Sequence, residues 1–118
     1  MNAITRTACV LALALASAPL QAGARPGPVR KLLTVQGFHT LTVPVAFQPG
    51  QSAVVTVQGD GDTVLAVAVV SPAGKVVAAD ARTGAVNTVR FVPRESGTYQ
   101  IKVLNRGGVP NRFALRTN

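Results

Sequence analysis

Apolar and polar positions alternate along most of the chain with the period of strands. Leu41, Val43, Val45 and Phe47 are separated by Thr42, Pro44, Ala46 and Gln48, which predicts a strand with one apolar and one wetter face. Pro44 has no N–H to give to a ladder, so that strand belongs at a sheet edge or at a bulge. Further strands are expected over residues 53–58, 63–71, 76–79, 87–92, 97–104 and 112–117, with a first one near 32–36. Turn signals such as QPGQ and SPAG separate them, a spacing that fits an antiparallel sandwich and not a parallel sheet with crossover helices. No segment has a helical period. The expected fold is therefore all-β, an antiparallel, jelly-roll-like β-sandwich of about eight short strands.

Side-chain parity then sorts the strands into faces. Leu65, Val67 and Val69 point one way, and Val64, Ala66, Ala68 and Val70 the other, yet both sets are apolar. A strand of that kind is covered on two sides, by the chain's own leader, by a loop or by a partner, so Val64, Ala66, Ala68 and Val70 form a candidate partner face. Tyr99, Ile101 and Val103 are expected inward with Lys102 outward. Phe113 and Leu115 likewise face in while Arg112 and Arg116 face out, and Arg90 lies opposite Val89 and Phe91. If the late strands share a sheet, Arg90, Lys102, Arg112 and Arg116 make one positive face suited to anionic polysaccharide or lipid surfaces. Scattered solubilising charge is the competing reading. The segments VPVAFQPGQSAVVTV and VRFVPRESGTYQIKV echo one another, but two units fall short of a repeat array, and they read as similar hairpins.

The beginning of the chain departs from this pattern. A single positive charge in residues 1–6, an apolar run over 7–16 and the small-residue stretch SAPLQAGA have the layout of a secretory signal over residues 1–22, with cleavage after Ala22 or Ala24. A membrane span needs about 20 apolar residues, and Pro19 and Gln21 interrupt this run, so no span is expected after cleavage. GARPGPVRK, residues 23–31, reads as a flexible leader, and residues 32–118 as the folded domain. The expected location is the periplasm or outside the cell. Cys9, the one cysteine, falls in the signal, which leaves the mature chain without disulfides, thiolate nucleophiles or sulfur-ligated metals.

Charge narrows the partners. Lys and Arg total 12 against 4 Asp and Glu, and the chain stays strongly basic without Arg6, so acidic partners are favoured. Export argues against nucleic acid, as does the expected burial of the late aromatics, since single-stranded nucleic acid is bound on exposed stacking platforms. A protein partner is open, and so is the oligomeric state. Catalytic chemistry has little to draw on. His39, the single histidine, lacks the nucleophile and orienting acid of a triad, zinc would want more ligands than the inventory holds, and GDGDT has acids where a phosphate loop needs Lys. A non-enzymatic protein is expected.

GQSAVVTVQGDGDT, VVSPAGKVVAAD, FVPRESGTYQIKV and the closing NRGGVPNRFALRTN, taken in order, resemble the bacterial pre-peptidase C-terminal domain, a β-sandwich module appended to secreted peptidases. The resemblance covers residues 41–118. It implies a non-catalytic binding or scaffolding module at the cell envelope or outside the cell. Calcium-binding members of that family carry carboxylates at the places held here by Val64, Ala66 and Ser71, whereas Asp60, Asp62 and Asp80 remain acidic. Calcium asks for about six to eight oxygen ligands. Three carboxylates make a poor cage, so GDGDT reads as a turn heading a strand and no cofactor is expected. A weakly calcium-stabilised domain assisting a secreted peptidase is the alternative.

Overall fold

The strand period is realised as eight strands, and the computed structural model describes residues 27–118. The signal expected over residues 1–22 lies outside these. The strands are β1 Val29–Val35, β2 Thr40–Ala46, β3 Ala53–Gln58, β4 Leu65–Val70, β5 Val76–Asp80, β6 Val86–Phe91, β7 Thr98–Asn105 and β8 Asn111–Thr117, with no helix among the described residues. They form two antiparallel four-stranded sheets, β1-β8-β3-β6 and β2-β7-β4-β5. First thus pairs with last, second with seventh, third with sixth and fourth with fifth. That is the winding of a jelly roll, in which one long hairpin, bent at SPAG, is wrapped so that its two halves cover each other.

The bend itself is locally encoded. Ser71 N–H donates to Lys75 O at 2.7 Å, Gly74 N–H donates to Ser71 O at 2.9 Å, and Gly74 takes a φ of 87°, which a side chain would oppose. The other connections cross between sheets. The two echoing segments are therefore crossovers and not hairpins: β2 to β3 and β6 to β7 each change sheet. They meet at one end of the sandwich, where Gly50 N–H donates to Pro93 O at 2.8 Å.

Alternation buries the core as expected. Val55, Val57, Phe113 and Leu115 from the first sheet meet Val69, Ile101 and Val103 from the second, all fully buried. Phe47, Phe91 and Tyr99 close the core at the crossover end, Phe47 edge-on to both of the others and Phe91 tilted to Tyr99, with ring centroids 5.2 to 5.8 Å apart. Pro44 sits exposed on β2, an edge strand, where its missing N–H costs no ladder bond. One boundary differs from expectation. Strand β1 begins at Val29, inside the segment read as leader, because the ladder with β8 runs back to Val29 opposite Thr117 and Val29 N–H donates to Thr117 Oγ1 at 3.0 Å.

At the far end the β1–β2 and β7–β8 loops touch backbone to backbone. A Cβ on Gly37 would stand 2.5 Å from the C and O of Gly108, closer than packed atoms allow. Gly37→Ala is therefore expected to lower stability by about 1–3 kcal/mol, read as a lower urea midpoint. An unchanged midpoint would mean that the loops part without cost.

Candidate functional site

The three carboxylates of the calcium alternative lie on separate elements, Asp60 and Asp62 in the β3–β4 loop and Asp80 at the end of β5, and those of Asp60 and Asp80 bond backbone N–H groups. Asp60 forms a turn of its own: its Oδ1 accepts the Asp62 N–H at 2.9 Å, and its Oδ2 accepts the Arg112 N–H at the head of β8 at 2.9 Å. Asn111 adds a third stitch, its Oδ1 accepting the Asp60 N–H at 3.1 Å and its amide donating to Thr63 Oγ1 at 3.0 Å. The Arg112 and Asp62 N–H groups hold the Asp60 carboxyl below its ordinary value, because they bond only its ionised form. The GDGDT turn is thus pinned to β8 by side chains that fold back on backbone.

Asp80 ends β5 and is buried. It accepts from Arg82 Nε at 3.0 Å, Arg82 Nη2 at 3.2 Å, the Arg82 N–H at 3.0 Å and the Thr88 N–H of β6 at 3.2 Å. Strands β5 and β6 lie at the edges of opposite sheets, so this carboxylate ties one open flank of the sandwich. The Arg82 guanidinium, then the N–H groups of Arg82 and Thr88, hold the carboxyl far below the ordinary carboxylate range. No three acidic, histidine or cysteine side chains among the described residues come together in a group able to hold a metal. Asp60, Asp62 and Asp80 are not gathered into one such group. Near Asp80, Asn87 donates to Arg82 O at 3.2 Å while its buried Oδ1 has no partner.

His39 is exposed in the β1–β2 loop, where Nδ1 donates to Gly37 O at 2.7 Å. The neighbouring Phe38 is 74% exposed with a φ of 58°, a left-handed backbone rarely seen for a bulky residue. Burial of the late aromatics is as expected for Tyr99 and Phe113, but Phe38 is an exposed ring that sequence reasoning passed over.

Cations gather on the outer face of the first sheet. Arg112 and Arg116 project from β8 and Arg90 from β6, all exposed. Lys102 does not join them. It lies on β7, in the other sheet, because a jelly roll sends consecutive strands β7 and β8 to opposite layers. Arg30 takes its place: it stands directly across from Arg116 in the β1–β8 ladder, with Thr56 and Thr88 continuing the row. Leu32 and Ala114 form the next row, and Thr34 and Arg112 the one after. A shallow hollow of about 320 Å³ runs between Arg30, Lys31, Leu32, Ala114 and Arg116. Among the described residues the single salt bridge is Arg82 with Asp80, so none of these arginines is ion-paired to a side-chain carboxylate, although Asp60 bonds the Arg112 N–H at one end of the face. Arg30 was hidden because Pro and Gly marked its surroundings as leader. The alternation of Val29, Leu33 and Val35, interrupted at Lys31, was the available signal.

On the outer face of the second sheet, Ala66, Ala68 and Val70 are half-buried, as is Val64 just before β4. Leu104 stands opposite Ala66, and Lys102 and Ala79 flank Ala68 on either side. These longer side chains wall a mostly apolar hollow of about 310 Å³ floored by alanines. Val64 is drawn toward the β7–β8 loop, its carbonyl accepting the Arg106 N–H at 2.9 Å. No helix among the described residues is long and apolar enough to cross a membrane.

No family model matches the chain, and no curated protein matches it.

Proposed function

We propose that the protein is an exported, non-catalytic binding module that holds an anionic ligand on the outer face of the β1-β8-β3-β6 sheet. The observation that carries this is the Arg30–Arg116 pair. Like charges directly opposed across a ladder are destabilising, and here two arginines face each other, with Arg112 two rows away on the same face. Guanidinium forks take carboxylate, sulfate or phosphate oxygens in bidentate pairs, and an acidic ligand would turn the repulsion into attraction. Export is supported by the layout of residues 1–22, and a binding role by the motifs that resemble a pre-peptidase C-terminal domain. His39, bonded to its own loop, supports a body without catalysis.

Retention on an immobilised heparin matrix tests this. Arg30→Glu combined with Arg116→Glu is expected to weaken binding roughly tenfold or more, about 1.4 kcal/mol or above, and to elute at lower salt. Lys75→Glu with Lys102→Glu carries the same change in charge away from this face and is expected to stay close to the parent. Equal losses in both variants would reduce the effect to net charge.

A further inference from the structure

We infer that the ligand of this face is a linear acidic polysaccharide that lies along the β1–β8 ladder and stacks one sugar ring on Phe38. The inference rests on the anionic-ligand reading above and names its substrate class.

The ladder supplies a track. Arg30 and Arg116 form one cationic row, Leu32 and Ala114 floor the hollow beyond it, and Thr34 with Arg112 form the next polar row. Arg116 and Arg112 are four residues apart on one strand, so their charges repeat at about 13 Å along it. Two charged rows separated by an apolar step suit a polymer whose acidic groups recur at intervals and whose ring faces are less polar than its edges.

Phe38 stands at the end of the same strand pair, three residues past Val35. Its loop is rigid. The Phe38 N–H donates to Gly107 O at 2.9 Å, the Asn105 N–H donates to His39 O at 2.9 Å, and Asn105, fully buried, donates to Val35 O and Val109 O and accepts the Gly107 N–H. The ring passes over Gly108, where a Cβ would come within 3.2 Å of it, and the rest of the side chain is open to solvent. A large aromatic held exposed in a strained backbone is an outlier that points to use. Its negative ring face attracts the weakly positive C–H face of a pyranose, and exposed Gln36 and His39 beside it offer polar groups to hydroxyls.

An anionic bilayer fits this end less well. Asp60 and Asp62 stand exposed in the β3–β4 loop, which is joined to the β7–β8 loop through Arg106 N–H and Val64 O. A flat anionic surface would press against both carboxylates, whereas a thread following β1 and β8 passes Asp60 at Arg112, whose N–H that carboxylate already accepts, and need not cover Asp62.

The test measures binding of the full domain to polygalacturonate and to heparin, with phosphatidylglycerol vesicles alongside, for the parent, Phe38→Asn and the Arg30→Glu, Arg116→Glu variant. Asn tolerates the left-handed backbone, so Phe38→Asn removes the ring and keeps the loop, which a melting temperature no lower than the parent's will verify. The expected result is binding to both polysaccharides, weakened roughly five- to tenfold by Phe38→Asn and more by the arginine reversals. If the reversals abolish polysaccharide binding while Phe38→Asn leaves it within about twofold, the stacking inference falls and the anionic face stands. Binding to vesicles and to neither polysaccharide also overturns the inference alone. Binding to none of the three overturns both.

Discussion

Tyr99→Ala is expected to cost about 3–5 kcal/mol, a large share of the roughly 5–15 kcal/mol that holds a small domain together. The ring is buried at 1% exposure and meets Phe47 edge-on and Phe91 at a tilt, at centroid distances of 5.6 and 5.8 Å. Phe47 follows β2 and Phe91 ends β6, the strands that lead into the two crossovers meeting at this end, so the Tyr99 ring is the plug where both crossovers bend over the core. Its hydroxyl does separate work: it donates to Glu95 O at 2.9 Å and accepts the Glu95 N–H at 3.3 Å, fixing the turn before β7. Tyr99→Phe keeps the plug and is expected to cost only about 1 kcal/mol. Urea denaturation of the two variants separates the roles. Equal midpoints would mean that the hydroxyl, and not the ring, carries the effect.

Asp80→Asn is expected to destabilise by about 2–3 kcal/mol near neutral pH. The amide has one acceptor oxygen in place of two, so it can keep either the pair of bonds from the Arg82 N–H and Nε or the pair from Arg82 Nη2 and the Thr88 N–H, but not both, and it loses the charge that strengthens them. The pH dependence has a definite sign. Asp80 in the folded protein titrates far below its ordinary value of 3.8, so the unfolded chain binds the proton first as pH falls. The stabilisation is therefore fully present above about pH 4 and is lost progressively as pH drops below it. Asp60, lowered in the same direction by the Arg112 and Asp62 N–H groups, adds to the acid sensitivity of the parent and persists in the variant. The stability gap between parent and Asp80→Asn should accordingly narrow in acid. A gap that is constant from neutral pH to pH 2 would show that the carboxylate charge is not what ties the flank.

Much of the sandwich was legible because burial imposes a period of two. Tyr99, Ile101, Val103, Phe113 and Leu115 are assigned inward by parity alone and are buried, as are Val43 and Val45 on the apolar face of their strand, and Pro44 marks an edge or a bulge, of which the sheet order shows the edge. The site was half legible. Parity sent Arg90, Arg112 and Arg116 outward correctly, since orientation within a strand is a local property. Lys102 was misplaced because sheet membership is not local: β7 and β8 are neighbours in sequence and lie in opposite sheets. Arg30 was lost to a boundary, as Pro and Gly in the preceding residues outweighed a short alternation that only the ladder with β8 makes decisive.

Local chemistry, then, was enough to establish an all-strand body, the alternation of its faces, the SPAG bend and a turn at Asp60 whose carboxylate bonds its own backbone. All of these depend on residues within a few positions of one another. Pairing first strand with last, setting Arg30 against Arg116, carrying the Asp80 carboxylate across to Thr88 and lifting Phe38 into solvent over Gly108 depend on contacts between segments far apart in the chain. Only the folded arrangement decides those, because the winding of the two halves determines which of many equivalent apolar strands become neighbours.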